Sequence, residues 1–511
     1  MKFILKNYWL LIIVLLVKIV LQLAVVNPVY ELQRDEFLHL AQANHLAFGY
    51  ISVPPFTSWV SVIINALGGG IFWVRFFPAL FGALTILFAW LIVDELKGGI
   101  FAKLLLATAM IFSVYLRLNI LYQPNSFDIL AWTMIYFFLV RYINTEKPKW
   151  LYWLAVAMAF GFLNKYNVVF LAAGLLGGLL LTPQRKIFKR REFYYALGIL
   201  FLMLLPNIVW QILHRFPVIH HMEALNKNQL ENVSRAGFLM SQLKVFSWSL
   251  PVVISALVAL GFGNSFKPYR VVVLSFIITL TVFCALRAKD YYAFGLYPVL
   301  LAFGSVSLEK ALSKGYWRWL RPVVIASNIV FFCLILPYII PILSPEQIVK
   351  NPDVYRKLGA LRWEDGKDHQ LPQDYADMLG WKEMAEKAKQ AYLSIPDSER
   401  SETLIFCDNY GQAGAVNYYN RNKIPEAYAF NTDYIFWIPK MNRIKNIVLI
   451  GERPNDKVVK LFESVTLTGT IENSLSREYG TGIYILKGSV PSFADMFYKV
   501  AEKRIKDFDI F

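Results

Sequence analysis

Asp35 and Glu36 stand side by side in ELQRDEFLHLAQANHLAFGY, a few residues after a first apolar run that ends near Val26. Carboxylates placed at a membrane face can do proton chemistry on a bound substrate, one oxygen serving as general base. If the segment is helical, Asp35 and His39 lie one turn apart and share a face, while Glu36 projects about 100° away. Segment 31–48 then reads as an amphipathic helix along the membrane, with Phe37, Leu40, Ala41 and Phe48 toward lipid or protein and Asp35 toward an aqueous cavity. Asp35 is the expected base. Glu36 would orient a substrate or join Asp35 in holding a divalent cation, the one cofactor this pair suggests. The blander alternative is a helix N-terminus at which both acids merely complement the macrodipole.

Such a base needs a counter-charge. Arg34, Arg75, Arg117, Lys165, Arg215, Arg287 and Lys289 fall near the outer ends of the apolar runs, where retention of Lys and Arg inside does not ask for them. A lipid-linked phosphate fits this rim, its tail between helices and its phosphate at the interface. Lys165 in LNKYN and Arg287 and Lys289 in RAKDYY are the strongest candidates, with Tyr291 and Tyr292 adding an aromatic, hydrogen-bonding wall. His220 and His221 are further candidates for a phosphate or a metal, although no third ligand is assigned. Snorkelling to headgroups is the alternative for any single cation, and an interface belt for the tyrosines.

The elements that must position these residues are membrane helices. The chain has 511 residues, 57% of them hydrophobic, with mean hydropathy +0.44. Apolar runs of roughly 17–25 residues, enough to cross a bilayer, recur near 8–26, 71–93, 100–117, 124–143, 150–164, 166–182, 193–213, 238–261, 270–286, 291–308 and 321–342. About eleven transmembrane helices are expected, the first an uncleaved anchor following Lys2 and Lys6. Every second loop is basic, most clearly in Arg185, Lys186, Lys189, Arg190 and Arg191, so the amino terminus should be cytoplasmic and the tail outside. The net charge of +16 sits largely in those loops, which retention and anionic lipid explain without nucleic acid. Cys284, Cys333 and Cys407 have neither disulfide nor zinc spacing.

Residues 1–342 are thus the expected transmembrane domain, with an amphipathic first outer loop at 27–70, and 343–511 an extracytoplasmic α/β domain. In the tail WKEMAEKAKQAYLSI has helical periodicity, while TLIFCDNY, NIVLIGE and TGIYILKG read as buried strands. GQAGAVNYY carries a GxxG spacing that is weak evidence for a dinucleotide site.

RDEFLHLAQANHLAFGYISVPPFTSW followed by VRFFPALFGALTILFAWLIVDELKGG resembles the start of bacterial glycosyltransferase family 39, the group with protein O-mannosyltransferases and the lipid A aminoarabinose transferase. LYQPNSFDILAW, GFLNKYNVVFL, LPNIVWQILHRFP and RAKDYYAFGLYP follow in the family's order, so the resemblance covers about residues 1–341. LPQDYADMLGW and DNYGQAGAVNYY are similar to the outer tail of a bacterial branch. The resemblance implies a polytopic α-helical GT-C fold in the cytoplasmic membrane and transfer of a hexose or pentose from a polyprenyl-phosphate donor, with inversion. The acceptor, whether lipid, glycan or protein, stays open. Where many relatives place Asp after the Pro of the third outer loop this chain has Asn125, with Asp128 one turn on as the remaining acidic contact.

Inversion requires a base on the acceptor and charge stabilisation on the departing phosphate, on opposite faces of the sugar. Asp35 would supply the first; Lys165, Arg287 and Lys289 the second, in place of a general acid. A transporter or flippase of a lipid-linked sugar also needs outer cations, but it should show inverted repeats and polar groups at mid-membrane. A receptor leaves Asp35 and Glu36 unexplained.

Overall fold

The computed structural model describes residues 2–228 and 233–510, with side chains from Tyr8 onward except at 227 and 228. The side chains of Lys2 and Lys6 therefore lie outside the described residues. Each of the eleven apolar stretches is helical. Among the described residues, six helices of 22–25 residues are long and apolar enough to cross a bilayer alone, or up to eight spans if each of two bent pairs is one. The other stretches make shorter helices. The expected 100–117 run breaks into Ile100–Ile111 and Val114–Leu118, because the Ser113 hydroxyl caps a new helix by accepting from the Tyr115 amide at 3.3 Å. The expected 238–261 run bends by 63° between Arg235–Val245 and Ser247–Phe262.

The bundle core is continuous and apolar, running through Trp132, Tyr136, Phe283 and Phe303. Pro78 and Pro206 sit inside long helices, as membrane helices tolerate when neighbours satisfy the freed carbonyls.

The polar tail forms a five-stranded sheet in the order β2-β1-β3-β5-β4, built from β1 (Thr403–Cys407), β2 (Ala427–Ala429), β3 (Asn446–Gly451), β4 (Phe462–Thr470) and β5 (Gly482–Ser489). β1 pairs in parallel with β2 and β3, whereas β3, β5 and β4 run antiparallel. The period-two alternation of strands assigns opposite faces. Ile405, Cys407, Val448 and Ile450 pack with helix Trp381–Leu393 and helix Tyr410–Tyr419. Leu404, Ile447 and Leu486 meet Phe493 and Phe497 of the last helix.

Between bundle and tail lies helix Arg34–Ala41, continued by a 3-10 turn at Gln42–Asn44. Its start is a capping box: the Gln33 side chain accepts from the Asp35 amide at 2.8 Å, and the Glu36 carboxylate accepts from the Gln33 amide at 2.6 Å. The helix is shorter than the 31–48 expected, and Phe48 is exposed. Its apolar face is covered by protein rather than lipid. Phe37, 1% exposed, packs its ring 5.6 Å from Trp381 and 5.7 Å from Tyr418; burying such a ring is worth about 1.5–3 kcal/mol.

Candidate active site

A cavity of about 800 Å³ opens between one end of the helical bundle and the tail domain. Because Asp35 and His39 share a helical face, both line it, and Glu36 does not. Asp35 is half-buried. Its Oδ1 accepts from the Tyr410 hydroxyl at 2.6 Å and its Oδ2 from Gln123 Nε2 at 3.1 Å. Each bond to a charged oxygen is worth about 1.5–3 kcal/mol. His39 is 5% exposed with its ring edge-on to Tyr122, and burial lowers its pKa, so it faces the cavity as a neutral ring.

Glu36 departs from the substrate-orienting role expected of it. Fully buried, it accepts from Arg75 Nη1 at 2.7 Å, the Tyr122 amide at 2.6 Å and the Gln33 amide at 2.6 Å. Burial raises its pKa, and Arg75 with the two amides pulls it back. Arg75 also donates to the carbonyls of Ile120 and Glu31, so this rim cation is spent on the frame. With both Glu36 oxygens engaged away from the cavity, the pair does not fit a two-carboxylate chelate. Among the described residues no group of three His, Cys, Asp or Glu side chains converges as a metal site.

Across the cavity stands a cationic, aromatic wall. Lys165, at the end of helix Lys149–Asn164, donates to Asn125 Oδ1 at 2.7 Å and lies 4.4 Å over the Tyr292 ring and 5.1 Å over Tyr291. The position that departs from the family pattern thus supplies a neutral amide to the lysine. Lys289 lines the same wall, 3.7 Å from Glu364 of the tail. His221 joins them, pushed down to about 4 by burial and by the Lys289 charge.

Three expected contacts are elsewhere. Asp128, 3% exposed, is not in the cavity wall; it accepts from Asn167 Nδ2 at 3.0 Å and attracts Lys165 from behind. Arg287 is not among the residues lining the cavity. It occupies a turn with φ 52°. His220 stacks on Phe508, ring centroids 3.8 Å apart, as part of the contact with the tail.

Sequence reasoning missed the tail's contribution. Tyr410, Asp377 and Arg477 all reach the cavity, and Arg477 sits 3.2 Å from Asp377. Burial pushes Asp377 up to about 6. Tyr410 stood in the quoted DNYGQAGAVNYY, but its chemistry shows only once that segment is docked.

The chain superimposes over 94% of its length on 98% of the crystal structure of ArnT from Cupriavidus metallidurans bound to undecaprenyl phosphate, with TM-score 0.60 and 13% identity. The apo form of the same protein matches with TM-score 0.60 at 14% identity, over 95% of this chain and 99% of that one. The Archaeoglobus fulgidus oligosaccharyltransferase matches over 86% of this chain and 67% of its own at TM-score 0.51 and 12% identity. Residues 52–210 match the dolichyl-phosphate-mannose-protein mannosyltransferase family model. The chain therefore has the fold of these membrane proteins, and its residues 52–210 are similar to that family. Its sequence is 27% identical over 203 residues to lipid A galacturonosyltransferase RgtD of Rhizobium johnstonii, a match spanning 37% of this chain and 40% of that relative. The cavity lies where the helical bundle meets the sheet domain, and the fold brings Asp35 and Lys165 to it.

Proposed function

We propose that this chain is an integral membrane inverting glycosyltransferase, moving a hexose or pentose from a polyprenyl-phosphate donor to an envelope acceptor at the outer face of the cytoplasmic membrane. The observation that carries the reading is one cavity holding a carboxylate, Asp35, and a cationic wall, Lys165 and Lys289, with Tyr291 and Tyr292 beside them. The GT-C fold and the two kinds of relative, one solved with undecaprenyl phosphate and one named for transfer to lipid A, support it.

The acceptor O–H gives its proton to Asp35 while its oxygen bonds to the anomeric carbon. The bond from that carbon to the phosphate oxygen breaks, and the electron pair leaves with the polyprenyl phosphate. Lys165 and Lys289 hold the growing negative charge in place of a proton donor. Attack from the Asp35 side and departure toward the lysines put the two partners on opposite faces of the ring, which gives inversion.

The test is transfer by the purified protein in lipid nanodiscs from labelled polyprenyl-phosphate sugars to envelope lipid and glycan fractions, with the anomeric configuration of the product read by NMR. Transfer with the opposite configuration is expected; retained configuration or no transfer from any such donor sinks the reading. For orientation, a reporter after Phe511 should be active outside the cytoplasm and one inserted at 185–191 inside. Reversed reporters would move the cavity to the wrong face.

A further inference from the structure

Helix Tyr410–Tyr419 leaves the carboxyl end of β1, and β1 has β2 and β3 as parallel neighbours on its two sides. In open α/β sheets such a reversal of strand order leaves a crevice that commonly takes a ligand. Here the helix Arg34–Ala41 of the membrane part presses on the exit from β1 instead. A Cβ on Gly411 would stand 2.6 Å from Arg34 Cγ, and one on Gly414 2.6 Å from Phe37 Cβ. The GxxG spacing is therefore a helix-packing face and not a dinucleotide loop. Two absent side chains let the backbones approach closely enough for the preceding residue to reach the cavity.

We infer that Tyr410, carried by the tail domain, is a positioning residue for Asp35, so that the docked tail completes the reaction site. This rests on the reading of Asp35 as the base. The Tyr410 hydroxyl donates to Asp35 Oδ1 at 2.6 Å. The ring is held from the other side by the Arg34 guanidinium, 4.4 Å from its centroid, and the residue after Asn409 is fixed by a capping box in which Asn409 Oδ1 accepts from the Gln412 amide at 3.2 Å, with a further bond from the Gly411 amide at 2.9 Å. With Gln123 on Oδ2, the carboxylate cannot rotate without losing a charge-assisted bond. Each oxygen keeps a free lone-pair direction for the acceptor O–H. Tyr410 keeps its own proton throughout; it aims the base and takes no part in the transfer.

The test is Tyr410→Phe in the full-length purified protein, which removes one oxygen and keeps the ring under Arg34. The expected result is a loss of kcat of about ten- to a hundredfold, with donor KM and thermal midpoint unchanged. In the residual transfer of an Asp35→Asn background the same substitution should cost nothing further, because its effect acts through that carboxylate. Wild-type kcat, a loss confined to donor KM, a loss that follows a lowered thermal midpoint, or an equal loss in the Asp35→Asn background overturns the inference. A fully active Asp35→Asn sinks the reading beneath it, whereas an impaired Asp35→Asn beside a fully active Tyr410→Phe sinks this inference alone.

Discussion

Asp35 and Lys165 in the cavity take neutral partners in direct contact, Tyr410 with Gln123 for the first and Asn125 with two aromatic rings for the second. The frame around them is different. Glu36, which does not line the cavity, is paired with Arg75 at 2.7 Å, and even at the cavity rim Arg117 with Asp374 at 2.6 Å and Arg477 with Asp377 at 3.2 Å are matched pairs. A charge matched by an opposite charge at contact distance has spent most of its field, whereas one held by a hydroxyl, an amide or a ring face is fixed in direction and still acts on a ligand. Two carboxylates adjacent in sequence are therefore placed unlike: Asp35 faces the cavity and Glu36 is paired with Arg75 in the wall behind it.

The largest effect expected from this contrast is on turnover. Asp35→Asn keeps the size and much of the hydrogen bonding but removes the basic oxygen, so turnover should fall by about 10² to 10⁴ while donor binding and thermal midpoint hold. Wild-type turnover would erase the distinction between cavity and frame.

Glu36→Gln probes the other side. Breaking the buried pair leaves Arg75 uncompensated at a cost of about 3–5 kcal/mol in stability, to be read from chemical denaturation in detergent. Lost turnover at unchanged stability would return Glu36 to the chemistry.

Within the cationic wall, Lys289→Ala should weaken donor binding by about 2–3 kcal/mol, seen as a raised donor KM. Arg287→Ala, outside the cavity wall, should leave that KM in place. Equal effects would show that both cations serve the membrane surface rather than the donor.

The smallest effect concerns His221, held near 4 by burial and Lys289. Its folded pKa lies below the ordinary value of about 6.5, so the unfolded chain binds the proton first as pH falls. Stability should decline from about pH 6.5 toward pH 4 and recover above it. His221→Gln should flatten that part of a plot of thermal midpoint against pH; an unchanged slope would assign the decline to other groups.

The cationic wall was legible in short motifs because LNKYN and RAKDYY each carry a cation where an apolar run ends, and hydropathy marks that depth. The shared face of Asp35 and His39 followed from helical spacing alone. Glu36 was misread because its capping bond is local, yet its pairing with Arg75 spans 39 residues. Asp128 and His220 were misplaced for the same reason: residue type and approximate depth do not say which way a side chain turns within a packed bundle.

The sequence by itself determined the membrane helices, the strands and helix of the tail and the shared face of Asp35 and His39, since hydropathy and periodicity act over a few residues. Only the tertiary structure decided which carboxylate faces the cavity, and that a tyrosine 375 residues away would hold it. A hydrogen bond needs its atoms placed within a few tenths of an ångström, and that placement comes from the close contact of Gly411 and Gly414 with the Asp35 helix, which no local pattern encodes.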